Sequence, residues 1–133
     1  MTFLDFKKFA IEKNIGGLSL PQDNAGYTPL IQDSLEYIAK LPNCIPIDLI
    51  ESDLSKPRLR FLTVGKFIRK PIAPTNDTDT IDIDEQLVYA VAYDFLFNHT
   101  KDPINLAKFE KRRDEEVTNF NWNNFAILQD LGV

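Results

Sequence analysis

The sequence predicts a mainly helical α+β fold: an antiparallel helical bundle with a small β-hairpin and an extended C-terminal tail. Three observations carry that prediction. Apolar residues recur at helical spacing over 2–13, 29–41 and 85–98. Two β-prone runs flank Gly65 between residues 58 and 72. An Asp-Pro step at Asp102-Pro103 then opens a further, highly charged helix over 103–119. The chain of 133 residues fits one domain, 1–120, followed by an arm, 121–133.

The first helix, 2–13, is expected to be capped by Thr2, with Asp5 reaching back to an orphan N–H. Phe3, Phe6 and Ala10 make its apolar stripe, Phe9 widens it, and Asn14, Gly16 and Gly17 stop it. The second helix, 29–41, takes Thr28 as cap and Pro29 as first residue, where the missing N–H costs nothing. Leu30, Ile31, Leu35, Ile38 and Leu41 supply its stripe, and Pro42 ends it.

From Cys44 to Ile50 the chain reads as a strand or an extended link, and Pro46 points to an edge position. Residues 58–64 make a better strand and 67–72 its return, with Gly65 in the turn. Arg58, Arg60, Lys66, Arg69 and Lys70 lie on this hairpin and Lys56 just ahead of it, while no acid occurs between residues 54 and 76. The plain reading is a solvated hairpin balanced by acids nearby in space. The functional reading is contact with an acidic partner or with nucleic-acid phosphate. No aromatic ladder accompanies the cations, which weakens a stacking platform for single strands.

Asp77, Asp79, Asp82 and Asp84 invite a calcium reading, but the order lacks the central glycine and the closing glutamate of the helix–loop–helix calcium pattern. A polar loop is expected, with Asp82 or Asp84 capping the next helix. That helix, 85–98, carries a broad stripe of Leu87, Val88, Val91, Ala92, Phe95 and Leu96, with Tyr89 and Tyr93 at its flank. His99 falls at its C-terminal end, where the helix dipole favours a partly positive imidazole.

Asp102 caps the helix over 103–119. Leu106, Phe109, Arg113 and Val117 trace one side of it; the buried face is expected to be Ile104, Ala107, Glu110 or Lys111, Asp114 and Val117. Its mixed charges form i,i+4 pairs such as Lys111–Glu115. A short link makes the last two helices an antiparallel hairpin. In the tail, Asn121, Asn123 and Asn124 disfavour a continued helix. Trp122, Phe125, Ile127, Leu128 and Leu131 give it an apolar surface, to be covered by its own domain or by a partner.

Composition bounds function. Apolar residues make up 44% and charged residues 26%, and 20 acids against 15 bases leave a net charge of -5. That balance argues against a protein whose whole surface grips nucleic acid. One cysteine, Cys44, and one histidine, His99, exclude an internal disulfide and any multi-Cys or multi-His metal site. No apolar run nears a membrane-spanning length, so a soluble protein of a reducing compartment is expected. Neither a nucleophile elbow, a glycine-rich phosphate loop nor a metal triad occurs, so an enzyme is not expected and no cofactor is implied.

The stretch from Lys70-Pro71-Ile72-Ala73-Pro74 through Ile81-Asp82-Ile83-Asp84-Glu85-Gln86-Leu87, then Val88-Tyr89-Ala90-Val91-Ala92-Tyr93-Asp94-Phe95-Leu96, Asp102-Pro103, Ala107, Phe109 and Glu110, resembles the head-to-tail connector (neck adaptor, head completion) proteins of tailed bacteriophages. The likeness covers roughly 56–120 and is one of residue types and spacings; Asp84 stands where proline is common in that family. It implies a structural viral protein acting in virion assembly, made in the host cytoplasm and built into the capsid–tail junction. Such adaptors form an oligomeric ring, commonly of twelve copies, under the portal protein. The ring extends the DNA channel and docks the next neck or tail protein. DNA passes the lumen without specific binding, which suits an acidic wall, and no membrane is involved. The hairpin (Arg58, Arg60, Lys66, Arg69, Lys70) and the tail (Trp122, Phe125, Ile127, Leu128, Leu131) are then the elements that reach a neighbour. The competing reading is a small interaction or regulatory module that binds nucleic acid or an acidic partner through the basic hairpin.

Overall fold

Phe3, Phe6 and Ala10 share one helical face, and the helix they form, α1 (Phe3–Lys13), buries all three completely. The computed structural model describes residues 1–13, 19–63 and 65–132; the expected stop at Asn14, Gly16 and Gly17 lies outside them. Thr2 caps α1 as expected, its Oγ1 accepting from the Asp5 N–H at 3.2 Å. The chain start is also tied to a distant segment. Phe3 N–H donates to the Asp79 carbonyl at 2.8 Å, Leu4 N–H to the Asp77 carbonyl at 3.1 Å, and Ile81 N–H to the Met1 carbonyl at 3.0 Å. The orphan donors of the first turn are thereby satisfied by the middle of the chain.

The second helix, α2 (Asn24–Lys40), starts earlier than residue 29. Asp23 is its cap, with Oδ1 accepting from Gly26 N–H at 2.8 Å. Thr28 and Pro29 therefore lie inside the helix. Asn24, Thr28 and Gln32 are four residues apart and share a face. Asn24 Nδ2 donates to the Thr75 carbonyl at 3.3 Å, the Thr28 hydroxyl lies 2.7 Å from the Pro74 carbonyl, and Gln32 bridges the Pro71 carbonyl and the Ala73 N–H, each at 2.9 Å. These bonds pin the extended segment 70–76 along α2, and they hold the extra turn that Pro29 would otherwise discourage. The adjoining face buries Tyr27, Ile31, Leu35 and Ile38.

After Pro46 comes a single 3-10 turn, Ile47–Leu49, and then β1 (Ile50–Glu51), a short edge strand as Pro46 implied. With β2 (Arg58–Thr63) and β3 (Lys66–Arg69) it forms an antiparallel sheet of order β1-β3-β2. Gly65, at φ 79°, adopts in the hairpin connection the left-handed conformation that only glycine takes at no steric cost. The return strand ends at Arg69 rather than Ile72. Pro71 has no N–H for the ladder, and Asp82 captures the Ile72 N–H at 2.8 Å.

A 3-10 turn, Glu85–Leu87, leads into α3 (Val88–His99), which is buried at Val88 and from Ala90 through Leu96. It is the central element. Phe95 stacks on Tyr27 (centroids 5.8 Å apart) and meets Phe6 edge-on at 5.6 Å, while Phe9 sits between Tyr89 and Tyr93 at 5.3 and 5.5 Å. Asp84 does not cap this helix with its side chain. Its two oxygens instead accept from the Ile47 and Asp48 N–H groups, each at 3.0 Å, and so cap the 3-10 turn across the chain. His99 also departs from expectation: it is half-buried against Phe95, and burial pulls its pKa down, favouring neutral imidazole over the dipole's preference.

Helix α4 (Pro103–Asn123) is capped by Asp102, which accepts from Ile104 N–H at 3.1 Å. It runs antiparallel to α3, pairing Arg113 with Asp94 and Asn124 with Gln86. The face turned inward is Phe109, Arg113, Val117 and Phe120. The expected stripe of Ile104, Ala107, Lys111 and Asp114 faces away, and Ile104 is 78% exposed. Two phenylalanines bury more apolar area than Ile104 and Ala107, and Asp94 gives Arg113 a partner inside; together they decide the face. Arg112, not Lys111, makes the ion pairs with Glu115 and Glu116, at 3.2 and 3.6 Å.

The tail is not extended. The helix passes through Asn121–Asn123 and breaks only at Asn124, after which α5 (Phe125–Asp130) follows. Asn124 turns its amide inward, Nδ2 donating to the Phe120 carbonyl and to Gln86 Oε1 at 2.8 Å each.

Candidate interaction surfaces

The five hairpin cations meet different fates. Arg69 grips Asp82 through two parallel hydrogen bonds of 2.6 and 2.7 Å. Burial works against the Asp82 carboxylate, but Arg69 and the Ile72 N–H prevail and hold its pKa below the ordinary value. Arg60 is partly buried and donates through Nη2 to the Cys44 carbonyl; burial lowers its pKa. Its Nε finds no acceptor among the described residues. Lys66 reaches the Leu131 carbonyl at 3.4 Å. Arg58 lies over the Phe61 ring at 4.7 Å and the Phe67 ring at 6.0 Å. Lys70 is exposed, as is Lys56. Arg60 and Arg69 therefore serve internal partners, and the outward charge rests with Lys56, Arg58 and Lys70.

The aspartates of 77–84 are equally occupied. Asp77 accepts from Lys7 Nζ at 2.6 Å and Asn24 Nδ2 at 3.0 Å, and these bonds hold its pKa low. Asp79 accepts from the Asn76 and Thr75 N–H groups at 2.9 and 3.0 Å, with the same effect. Asp84 is buried beside Asp48, and burial raises its pKa despite the two N–H groups it receives. Each carboxylate closes a turn or joins two segments, and none is aimed with its neighbours at a common point. Among the described residues no group of three or more His, Cys, Asp or Glu side chains is placed to hold a metal ion. Cys44 is fully buried, and burial pushes its thiol up to about 12, so it is not a ready nucleophile.

The C-terminal apolar residues divide by depth. Leu128 and Leu131 are half-buried, and with Lys66 at the Leu131 carbonyl they seat α5 beside the hairpin. Asn121 Nδ2 donates to the Asn43 carbonyl, fixing the end of α4 to the loop after α2. Between them lies a shallow groove lined by Pro42, Ile45, Phe125 and Leu128. Trp122 (77% exposed), Phe125 and Ile127 remain outside. The two elements singled out in the sequence, hairpin and C-terminal segment, thus meet at one end of the molecule. An exposed tryptophan and phenylalanine on a fixed helix there resemble anchor residues awaiting a surface. The helical setting of this cluster was missed in the sequence, where the asparagine run reads as a break.

No protein-family model matches the chain, nor does any curated protein or solved structure. No helix among the described residues is long and apolar enough to cross a membrane.

Proposed function

We propose that this chain is a structural adaptor of the phage head-to-tail connector kind: a non-enzymatic subunit of a ring under a portal, at the capsid–tail junction, that extends the DNA channel and presents a docking surface to the next neck or tail protein. The observation that carries this reading is the outward cluster of Trp122, Phe125 and Ile127 on a segment held by Asn121, Asn124 and Lys66. A monomer gains nothing from exposing that much apolar surface on a rigid support, whereas an assembly subunit covers it. The resemblance of residues 56–120 supplies the class of assembly, and the excess of acids supplies a lumen from which DNA slides freely. The competing reading, a basic hairpin that grips phosphate, loses support because Arg60 and Arg69 already serve Cys44 and Asp82.

The test is negative-stain microscopy of the chain mixed with a candidate portal ring. Added density of ring symmetry on the portal is expected for the native chain. Its loss is expected in a Trp122→Ser, Phe125→Ser variant of unchanged melting temperature. A native chain that never associates with portal or neck proteins, yet retards duplex DNA in a steeply salt-dependent way, would reverse the assignment.

A further inference from the structure

The outward face of α4 has a pattern of its own. Phe109, Arg113, Val117 and Phe120 point to the core. Ile104, Ala107, Lys111, Thr118 and Trp122 recur at steps of three, four and seven on the far side, joined by Asp114 and Glu115. Ile104 and Trp122, at the two ends, are 78% and 77% exposed. Between them lies a shallow depression lined by Ala107, Lys111, Asp114, Glu115 and Thr118. Lys111 makes no ion pair among the described residues, and Asp114, paired with Arg113 at 3.2 Å, still has a side chain 64% exposed. The stripe is about 27 Å long at 1.5 Å per residue, a full helix–helix contact.

From this stripe we infer a self-recognition surface: two copies of the chain pair through α4, antiparallel, about a two-fold axis near its midpoint. Run antiparallel, the stripe complements itself. Ile104 of one copy meets Trp122 of the other, Ala107 meets Thr118, and Lys111 meets Asp114 and Glu115, each contact occurring twice as a two-fold demands. The small Ala107 and Thr118 let the helices approach closely. The antiparallel arrangement also opposes the helix dipoles favourably. Run parallel, the same stripe sets Lys111 on Lys111 and Asp114 on Asp114, which charge repulsion rejects. The pairing is isologous, unlike a head-to-tail ring contact, and it shares Trp122 with the adaptor reading: in a free pair the second copy covers that side chain, in the ring the neck partner does.

Sedimentation equilibrium of the full chain tests it. The expected result at about 100 µM chain is a mass of two copies that does not grow further with concentration. Lys111→Glu alone and Asp114→Lys alone each weaken pairing by about tenfold or more, with unchanged circular dichroism because both side chains are exposed and Arg113 keeps its buried partner Asp94 when Asp114 is replaced. Mixing the two variants in equal amounts restores the two-copy mass, since each Glu then faces a Lys. A single-copy mass at that concentration, growth beyond two copies, or a mixture no better than its parts overturns the inference, whatever the portal experiment shows.

Discussion

Removing one half of the Asp94–Arg113 pair should be among the most damaging changes available to this protein. The two side chains meet at 2.9 Å with side-chain exposures of 2% and 9%, between α3 and α4. The guanidinium also lies over Tyr37 of α2 at 5.0 Å and Phe97 at 4.9 Å, so it joins three helices. Arg113→Met keeps the aliphatic stem and removes the charge. What remains is a buried carboxylate that keeps only neutral partners, Asn98 Nδ2 at 3.2 Å across one helical turn and the Ser34 hydroxyl of α2. Stranding one member of a buried pair costs about 3–5 kcal/mol. With a urea slope of about 2 kcal/mol per M, the midpoint should fall by about 2 M. Asp94→Asn together with Arg113→Met leaves no charge behind and should recover most of that loss. The pH response has a definite sign. Burial already raises the Asp94 pKa from its ordinary value of 3.8, and losing Arg113 raises it further. The folded variant then takes up a proton before the unfolded chain does, so its deficit should shrink as pH drops from 7 towards 5. Urea melts of both variants at the two pH values measure this. A cost below about 1 kcal/mol for Arg113→Met, or a double variant no better than the single, would refute the reasoning.

Phe95→Ala removes the ring at the centre of the Phe6–Tyr27 cluster and should cost about 3–5 kcal/mol in denaturant melts; a cost under about 1 kcal/mol would show that the centre repacks freely. Asp84→Ala strips the acceptors from the Ile47 and Asp48 N–H groups and should cost about 1–3 kcal/mol, and native-state exchange at those two amides should rise first. His99, held by burial below its ordinary 6.5, resists a proton that the unfolded chain accepts, so its contribution to stability is lost as pH falls through that value. The difference in urea midpoint between native and His99→Gln chains should therefore move in favour of the variant from pH 7 to pH 5, and a constant difference would count against a buried neutral imidazole.

The helices were legible where apolar spacing and burial coincide. Phe3, Phe6 and Ala10 announce their face because the stripe has no rival, whereas α3 is buried nearly all round and the stripe of Leu87, Val91 and Phe95 names only part of what it buries. Helix α4 has two stripes, and spacing alone cannot rank them; the bulk of Phe109 and Phe120 favours the inner one, and Asp94 on another helix, a partner invisible to periodicity, lets Arg113 join it. The start of α2 was misplaced for a similar reason. Thr28-Pro29 is a sound local signal, but Asp23 caps Gly26 and the 70–76 segment rewards Asn24 and Thr28 with tertiary bonds. For the candidate surfaces, residue types were legible and partners were not. Arg69 reads as a free cation until Asp82 is folded beside it, and only the fold decides whether the tail's apolar residues are covered by their own domain, setting Trp122 and Phe125 outside and leaving Leu128 and Leu131 half-buried.

The bonds from Met1, Phe3 and Leu4 to Asp77, Asp79 and Ile81 have a consequence for the order in which the chain takes shape. As the polypeptide emerges from a ribosome, its first helix waits for acceptors that are synthesised much later, and a short amphipathic helix without them is marginal in water. Its Phe3 and Phe6 rings have their partners, Tyr27 and Phe95, at still more scattered points. The nascent N-terminal half therefore cannot settle on its own, and folding must be a late event that closes long loops at once rather than a progression from one end. Chains stalled or cut before residue 77 should accumulate as unstructured, chaperone-bound species.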